Sequence, residues 1–202
     1  KFGVIPIENN QEGIVYETVD LLHEMQVNIV AELKIPVHFT LATEAESPDK
    51  IKRIYSKDIA FRQCRGFLNK YFEQHDVEEI QVESTSKAAK LAAEDPESAA
   101  ICSEIAGKLF SLPILFKNIE DNNQNRTRFF IISRDFVNQP SGNDKTTLIV
   151  RLPDTDKPGV LAEFLQDFKQ AGINLTKIES RPYKGDEAFN FWFFIEFLGY
   201  FD

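Results

Sequence analysis

The sequence predicts an α/β fold, and three observations carry that prediction. Short runs rich in Val, Ile and Phe alternate with Ala- or Leu-rich stretches at helical spacing as far as residue 135. "FVNQPSGND" (136–144) then breaks the pattern, with Pro, Gly and Asn and no periodicity. Beyond it a compact unit reads strand, helix, strand, strand. The expected organisation is a first domain over 1–135, a linker over 136–144 and a second domain over 145–202.

Taken in order, Val4 to Ile7 is a short buried strand, and "ETVDLLHEM" (17–25) a helix with Val15, Val19, Leu22 and Met25 near helical spacing. Residues 27–42 alternate as extended strands, "ESPDK" turns, and "IKRIYS" is a strand. From Asp58 onward Ala60, Cys64, Phe67, Leu68 and Tyr71 fall on one face, which predicts a single helix. "EEIQVES" is a strand, and Ser84 or Thr85 caps an Ala-rich helix over 86–94. "SAAICS", "EIAGKLF" and "PILFKNI" follow as strand, helix and strand, and the alternation argues for a largely parallel sheet.

In the second domain "KTTLIVRL" is a strand and "PDTDKPGV" a turn that puts Pro158 at a helix start. Leu161, Phe164, Leu165 and Phe168 form that helix's apolar stripe, and Gly172 ends it. "INLTKIESRP" and "EAFNFWFFIEF" pair as a hairpin across "YKGD". Residues 188–198 are apolar on both faces, with Phe189, Phe191, Phe193, Ile195 and Phe197 on one and Trp192, Phe194 and Leu198 on the other. A strand of that kind needs cover from a helix or a second subunit. The chain opens almost inside a strand and stops just after one, so the expectation is a segment cut from a longer chain at both ends.

Composition narrows the function. A net charge of −9 with no Lys/Arg-rich run argues against nucleic acid. Cys64 and Cys102 form no CxxC, and His23, His38 and His75 lack metal-ligand spacing, so neither a disulfide framework nor a zinc site is expected. "AFNFWFFIEFL" is too short and too interrupted to span a bilayer, and no signal peptide is expected. The expected compartment is the cytoplasm.

Four places carry candidate chemistry. In "DNNQNRTRFFIIS" (121–133) Thr127 lies between Arg126 and Arg128 at a strand mouth, where the trio either caps a solvated strand end or holds an anion beside a proton donor. Thr127 and Arg128 point to opposite faces of a regular strand, so the anion reading asks either for irregular backbone or for an indirect role of Arg128. Glu8, Asn9 and Asn10 follow a strand's carboxyl end, where ligands of open α/β sheets gather; the alternative is a polar turn. Ser84, Thr85 and Ser103 stand at helix starts whose free N–H groups suit a carboxylate, or act simply as caps. Gly159 would let a ligand approach the helix start or is a turn glycine, and Glu179 and Arg181 are strand-end charges or part of a binding loop.

Several of these stretches, in register, resemble the prephenate dehydratase family followed by an ACT regulatory domain. They are "GVIPIENNQEGIVYETVDLL" (3–22), "ESTSKAAKLAAE" (83–94), "AAICSEIAGKLFSLPIL", the Thr127-Arg128-Phe129 triplet, and "DKPGVL" with "ESRP" (179–182). The resemblance implies an incomplete periplasmic-binding-protein-like α/β dehydratase domain and an incomplete ferredoxin-like βαββ(αβ) ACT domain. It implies decarboxylating dehydration of prephenate to phenylpyruvate in phenylalanine biosynthesis, with no metal or organic cofactor. Thr127 and Arg128 would be catalytic; Glu8, Asn9, Asn10, Ser84, Thr85, Ser103 and Arg126 would bind substrate. L-Phenylalanine would bind as effector at Gly159, Val160, Leu161, Asn174, Glu179, Ser180, Arg181 and Pro182. A homodimer or homotetramer is expected, with neither nucleic acid nor membrane as partner. Arogenate dehydratase and a non-catalytic amino-acid sensor are the alternatives. Two departures stand out: Asn10 replaces the family's Ser, and Lys57 stands where a His is usual.

Overall fold

A computed structural model describes residues 1–153, 157–183 and 191–200. The chain is α/β and divides into two compact units, 1–7 with 14–33 and 128–202, and 8–13 with 34–127. The division falls inside strands β1 (Phe2–Asn9), β2 (Gly13–Ile14), β3 (Asn28–Pro36) and β9 (Arg126–Ser133), which form a four-stranded sheet of order β2-β1-β9-β3.

The unit containing 34–127 is built on a five-stranded sheet. Its strands are β4 (Thr40–Thr43), β5 (Arg53–Ser56), β6 (Glu78–Gln81), β7 (Ser98–Cys102) and β8 (Ile114–Lys117), in the order β6-β5-β7-β4-β8. β5 runs parallel to β6 and β7, as strand–helix alternation predicts, but β4 is antiparallel to β7 and β8. The expected parallel sheet is thus mixed.

All five residues of β7 are buried; on one face Ala100 leaves room for Ala88, Ala89 and Ala92 of α4 (Thr85–Ala93) to pack closely, while Ala99 faces the opposite cluster. On the other side Leu41, Ile54 and Ile101 join Phe61 and Leu68 in a second cluster, each burial contributing roughly 1.5–3 kcal/mol. Gly107, in α5 (Glu104–Leu109), sits where a Cβ would come 2.6 Å from Ile114 Cδ1, so a side chain there would require the end of the Ile114 side chain to move.

The single helix expected from Asp58 is two, α2 (Asp58–Gln63) and α3 (Arg65–Phe72), broken at Cys64. Asp121 causes the break. Its backbone N–H donates to the Gln63 carbonyl at 2.7 Å, and its carboxylate accepts from Gly66 N–H at 3.0 and 3.2 Å. Those two groups are withdrawn from the i→i+4 ladder, which apolar spacing cannot reveal.

In the other unit α1 (Tyr16–Glu24) contributes Val19 to a core with Ile7, Phe130, Trp192 and Phe194. A three-stranded antiparallel sheet of order β10-β12-β11 follows, from β10 (Lys145–Val150), β11 (Leu175–Pro182) and β12 (Phe191–Leu198). The β11–β12 pairing is the expected hairpin; the connection over 184–190, with Phe189, lies outside the described residues. So do residues 154–156 of the turn before α6 (Val160–Gln170). That helix starts after a left-handed Gly159 (φ 97°), so Pro158 stands just outside it rather than at its first position. Gly172 (φ 69°) ends it, with Ile173 N–H bonded back to the Phe168 carbonyl. β12 is buried on both faces: Trp192 and Phe194, and also Ile195 and Phe197.

Candidate active site

The candidate site in the unit containing 34–127 starts from Asn9. Its Oδ1 accepts from the backbone N–H groups of Gln11 (2.9 Å) and Glu12 (3.1 Å), an Asx turn that ends β1. Backbone N–H can only donate, so the orientation of the Asn9 amide is settled. Its NH₂ must then face the other way, and there it donates to Asn125 Oδ1 at 2.7 Å and to Thr127 Oγ1 at 3.0 Å.

The polarity runs on from there. Asn125 has its oxygen occupied, so its NH₂ donates to Gln63 Oε1 at 2.9 Å, and Gln63 Nε2 in turn faces Glu12 Oε1 at 3.2 Å. Asn125 is 1% exposed and Thr127 is half-buried, which gives the amide chain little water to compete with. Thr127 receives a hydrogen bond on an oxygen lone pair. Its hydroxyl proton is not spent on Asn9 and can be donated to another acceptor, and the incoming donor makes that proton easier to share.

Asn10 is used structurally: its Nδ2 donates to the Gln124 carbonyl at 2.8 Å, and its Oδ1 accepts from Arg126 N–H at 2.9 Å. Arg126 is exposed and donates from Nη1 to the carbonyls of Asn123 and Asn125, both at 2.8 Å. It also lines a polar cavity of about 680 Å³ with His38, Glu120, Asp121 and Asn123. Glu8 is half-buried at the end of β1. Ser84 and Ser103 cap α4 and α5, accepting from Lys87 N–H (3.1 Å) and Ala106 N–H (3.2 Å), and Thr85 is the first residue of α4. The hydrogen bonds of the described residues do not link these three to Thr127.

Arg128 departs from the expectation that its guanidinium is presented to an anion. It is 5% exposed, and it donates to Glu32 Oε2 at 2.9 Å and Glu196 Oε2 at 2.8 Å. The pleat explains this, since neighbours in a strand point to opposite faces and β9 is regular here.

Nothing in the sequence marks Asn125 and Gln63. Asn125 lies inside a run of amides that reads as a polar loop, and Gln63 is one polar residue on an amphipathic helix. Only the fold brings them within one bond of each other, 62 positions apart.

In the unit containing 128–202, Glu179 and Arg181 are engaged with α1. Tyr16 donates to Glu179 Oε1 at 3.0 Å, and that hydrogen bond raises the phenol above its ordinary pKa. Arg181 lies 4.3 Å over the Tyr16 ring and grips the Asp20 carboxylate through Nε and Nη2 at 2.9–3.0 Å. Gly159 has open space at the position of a Cβ, so its left-handed φ is sufficient reason for glycine. Val160 and Leu161 form the first turn of α6, Asn174 accepts from Leu198 N–H through its carbonyl, and Ser180 and Pro182 are exposed along β11. Among the described residues no group of three His, Cys, Asp or Glu could hold a metal, and no helix is long and apolar enough to cross a membrane.

Against known proteins, a family model described as prephenate dehydratase matches residues 1–136. A bifunctional chorismate mutase/prephenate dehydratase of Aquifex aeolicus is 40% identical over 199 residues, 98% of this chain and 53% of that protein. The chain therefore spans about half the length of that curated relative. A crystal structure of prephenate dehydratase in complex with L-Phe, from Arthrobacter aurescens, superposes with a TM-score of 0.86 at 35% identity, covering 98% of this chain and 66% of that one. A structure described as GqqA, a novel type of quorum quenching acylase, superposes with a TM-score of 0.84 at 28% identity, covering 99% and 72%.

Proposed function

Because the chain belongs to the prephenate dehydratase family, we propose that this protein converts prephenate to phenylpyruvate, with Thr127 as hydrogen-bond donor to the departing hydroxyl. Prephenate is a dianion. Cleavage of its ring-carboxylate bond releases CO₂, the electron pair moves into the ring, and the ring C–O bond breaks as the ring becomes aromatic. The leaving oxygen needs a proton or a strong donor at that moment. A threonine hydroxyl is too weak an acid to be poised near pH 7, but a preorganised donor is most effective where charge develops.

The observation that carries this reading is the Asn9–Thr127 bond, whose polarity makes Thr127 the acceptor from Asn9 and leaves its hydroxyl proton for another acceptor. Asn125 and Gln63 orient Asn9, while the exposed Arg126 supplies positive charge for a substrate carboxylate. No cofactor enters the proposal.

Residues 145–202 are read as an ACT regulatory module following a dehydratase domain over 1–135, with phenylalanine as effector at Gly159 to Leu161, Asn174 and Glu179 to Pro182. The relative solved with L-Phe supports this. Exposed Leu161 and Ile178 on the module support assembly into a homodimer or homotetramer, and a biosynthetic role supports a cytoplasmic location.

The test is formation of phenylpyruvate, followed by its absorbance, with the full-length protein and prephenate. Arogenate offered in the same assay separates an arogenate dehydratase. The likeness to an acylase favours one second reading, amide hydrolysis; an acylated amine offered to the same protein tests it.

A further inference from the structure

Thr127 is followed directly by a row of charges that runs inward. Lys145 Nζ lies 3.0 and 3.1 Å from the two oxygens of Glu32, and Glu32 Oε2 accepts from Arg128. The other arm of the Arg128 fork meets Glu196, which is 1% exposed in the middle of β12. The four residues come from β10, β3, β9 and β12, and their charges sum to zero.

The buried half of this arrangement, Arg128 with Glu196, is weak evidence for stability. Glu196 is flanked by Ile195 and Phe197, and its Oε1 has no hydrogen-bond partner among the described residues. A buried ion pair with an incompletely satisfied carboxylate recovers little of its desolvation cost, and apolar residues of similar volume are commonly as stable or more so. Phe130, the next inward residue of β9, shows that the strand packs well with an apolar side chain. What a guanidinium adds is geometry, because its planar fork fixes two carboxylates at defined angles.

Resting on the proposed dehydratase reading, we infer that Arg128 is a positioning residue, anchored by Glu196, that sets the backbone of β9 one residue from the Thr127 hydroxyl. A leaving-group donor works only within a few tenths of an ångström of its productive position, and a displacement of about 1 Å can cost a factor of about 100. β9 is held in register by its ladder to β1 and β3, and the charge row adds two side-chain hydrogen bonds of defined direction that fine-tune its position.

The experiment uses the full-length protein, with wild type and Thr127→Val assayed first. If wild type does not turn over prephenate, or Thr127→Val equals it, the dehydratase reading itself fails. Given that baseline, Arg128→Met combined with Glu196→Leu removes the charges without leaving either one unpaired. The expected result is a folded protein with a Tm at or above wild type, a kcat lowered about 10- to 100-fold and a KM changed less than about twofold. Arg128→Lys, which keeps charge and needs no new cavity, is the second variant, and it should lower kcat in the same way. Wild-type kcat in either folded variant overturns the inference. So does a raised KM at unchanged kcat, which would make Arg128 a substrate ligand, or a loss of rate that only tracks the folded fraction.

Discussion

Asn9 donates to Thr127 Oγ1 at 3.0 Å while its own oxygen is held by two backbone N–H groups, so the side chain cannot turn over without losing both. That fixes Asn9 as donor and Thr127 as acceptor. Asn9→Asp should therefore be severe: a carboxylate retains the Asx turn but cannot donate, and it would draw the Thr127 proton toward itself. Steady-state kinetics should show kcat lowered about 100-fold or more with KM far less affected, the scale of losing one preorganised donor. A variant with near wild-type kcat would remove Asn9 from the reaction.

Acid should loosen the charge row. Burial alone would raise the Glu32 carboxyl, but hydrogen bonds from Lys145 and Arg128 outweigh it and hold the group below its ordinary value. Asp95 is also lowered, chiefly by its hydrogen bonds from Arg53. For groups depressed in the folded state the stabilisation is whole above the unfolded value, about 4, and is lost as pH falls through the folded one. Thermal unfolding scanned from pH 7 down to 3 should show Tm level at first and falling below about pH 4. Asp95→Asn should flatten that fall; an unchanged slope would show that the Arg53–Asp95 pair contributes nothing.

Much of the fold is legible in the residues. The apolar runs mark the strands, and Ser84 and Ser103 mark helix starts because a serine hydroxyl can satisfy a free N–H locally. What is not legible depends on partners far along the chain. Asp121 breaks a helix far earlier in the chain by bonding to the Gln63 carbonyl. At the site, Thr127 and Asn9 stand out by their neighbours in sequence, whereas Asn125 and Gln63 acquire their role only from a hydrogen-bond chain the fold assembles. Arg128 takes the inward place that the strand pleat already allowed, and the two carboxylates that hold it there are not legible in the sequence.

The effector site is best probed at Leu161. Gly159 is a poor probe, since any side chain at φ 97° strains the backbone whether or not a ligand binds. Leu161 is 36% exposed on the first turn of α6 and stands outside the buried core clusters. Calorimetry should show phenylalanine binding to the full-length protein, weakened about tenfold by Leu161→Ala through lost apolar contact, with Tm unchanged. An unchanged Kd would take the start of α6 out of the site.

Replacing Thr127 separates a working hydroxyl from a strand residue that merely packs. A donor that acts on the departing hydroxyl works mainly in the transition state, so removing it should lower kcat much more than it raises KM. Thr127→Val preserves shape and strand preference but has no hydroxyl, and Thr127→Ser keeps the hydroxyl at some cost in strand fit. In the full-length protein the Val variant should lose about 10²- to 10⁴-fold in kcat, roughly 3–5 kcal/mol, while the Ser variant keeps much of the rate. A folded Val variant as active as wild type, or more active than the Ser variant, would contradict a donor role for Thr127.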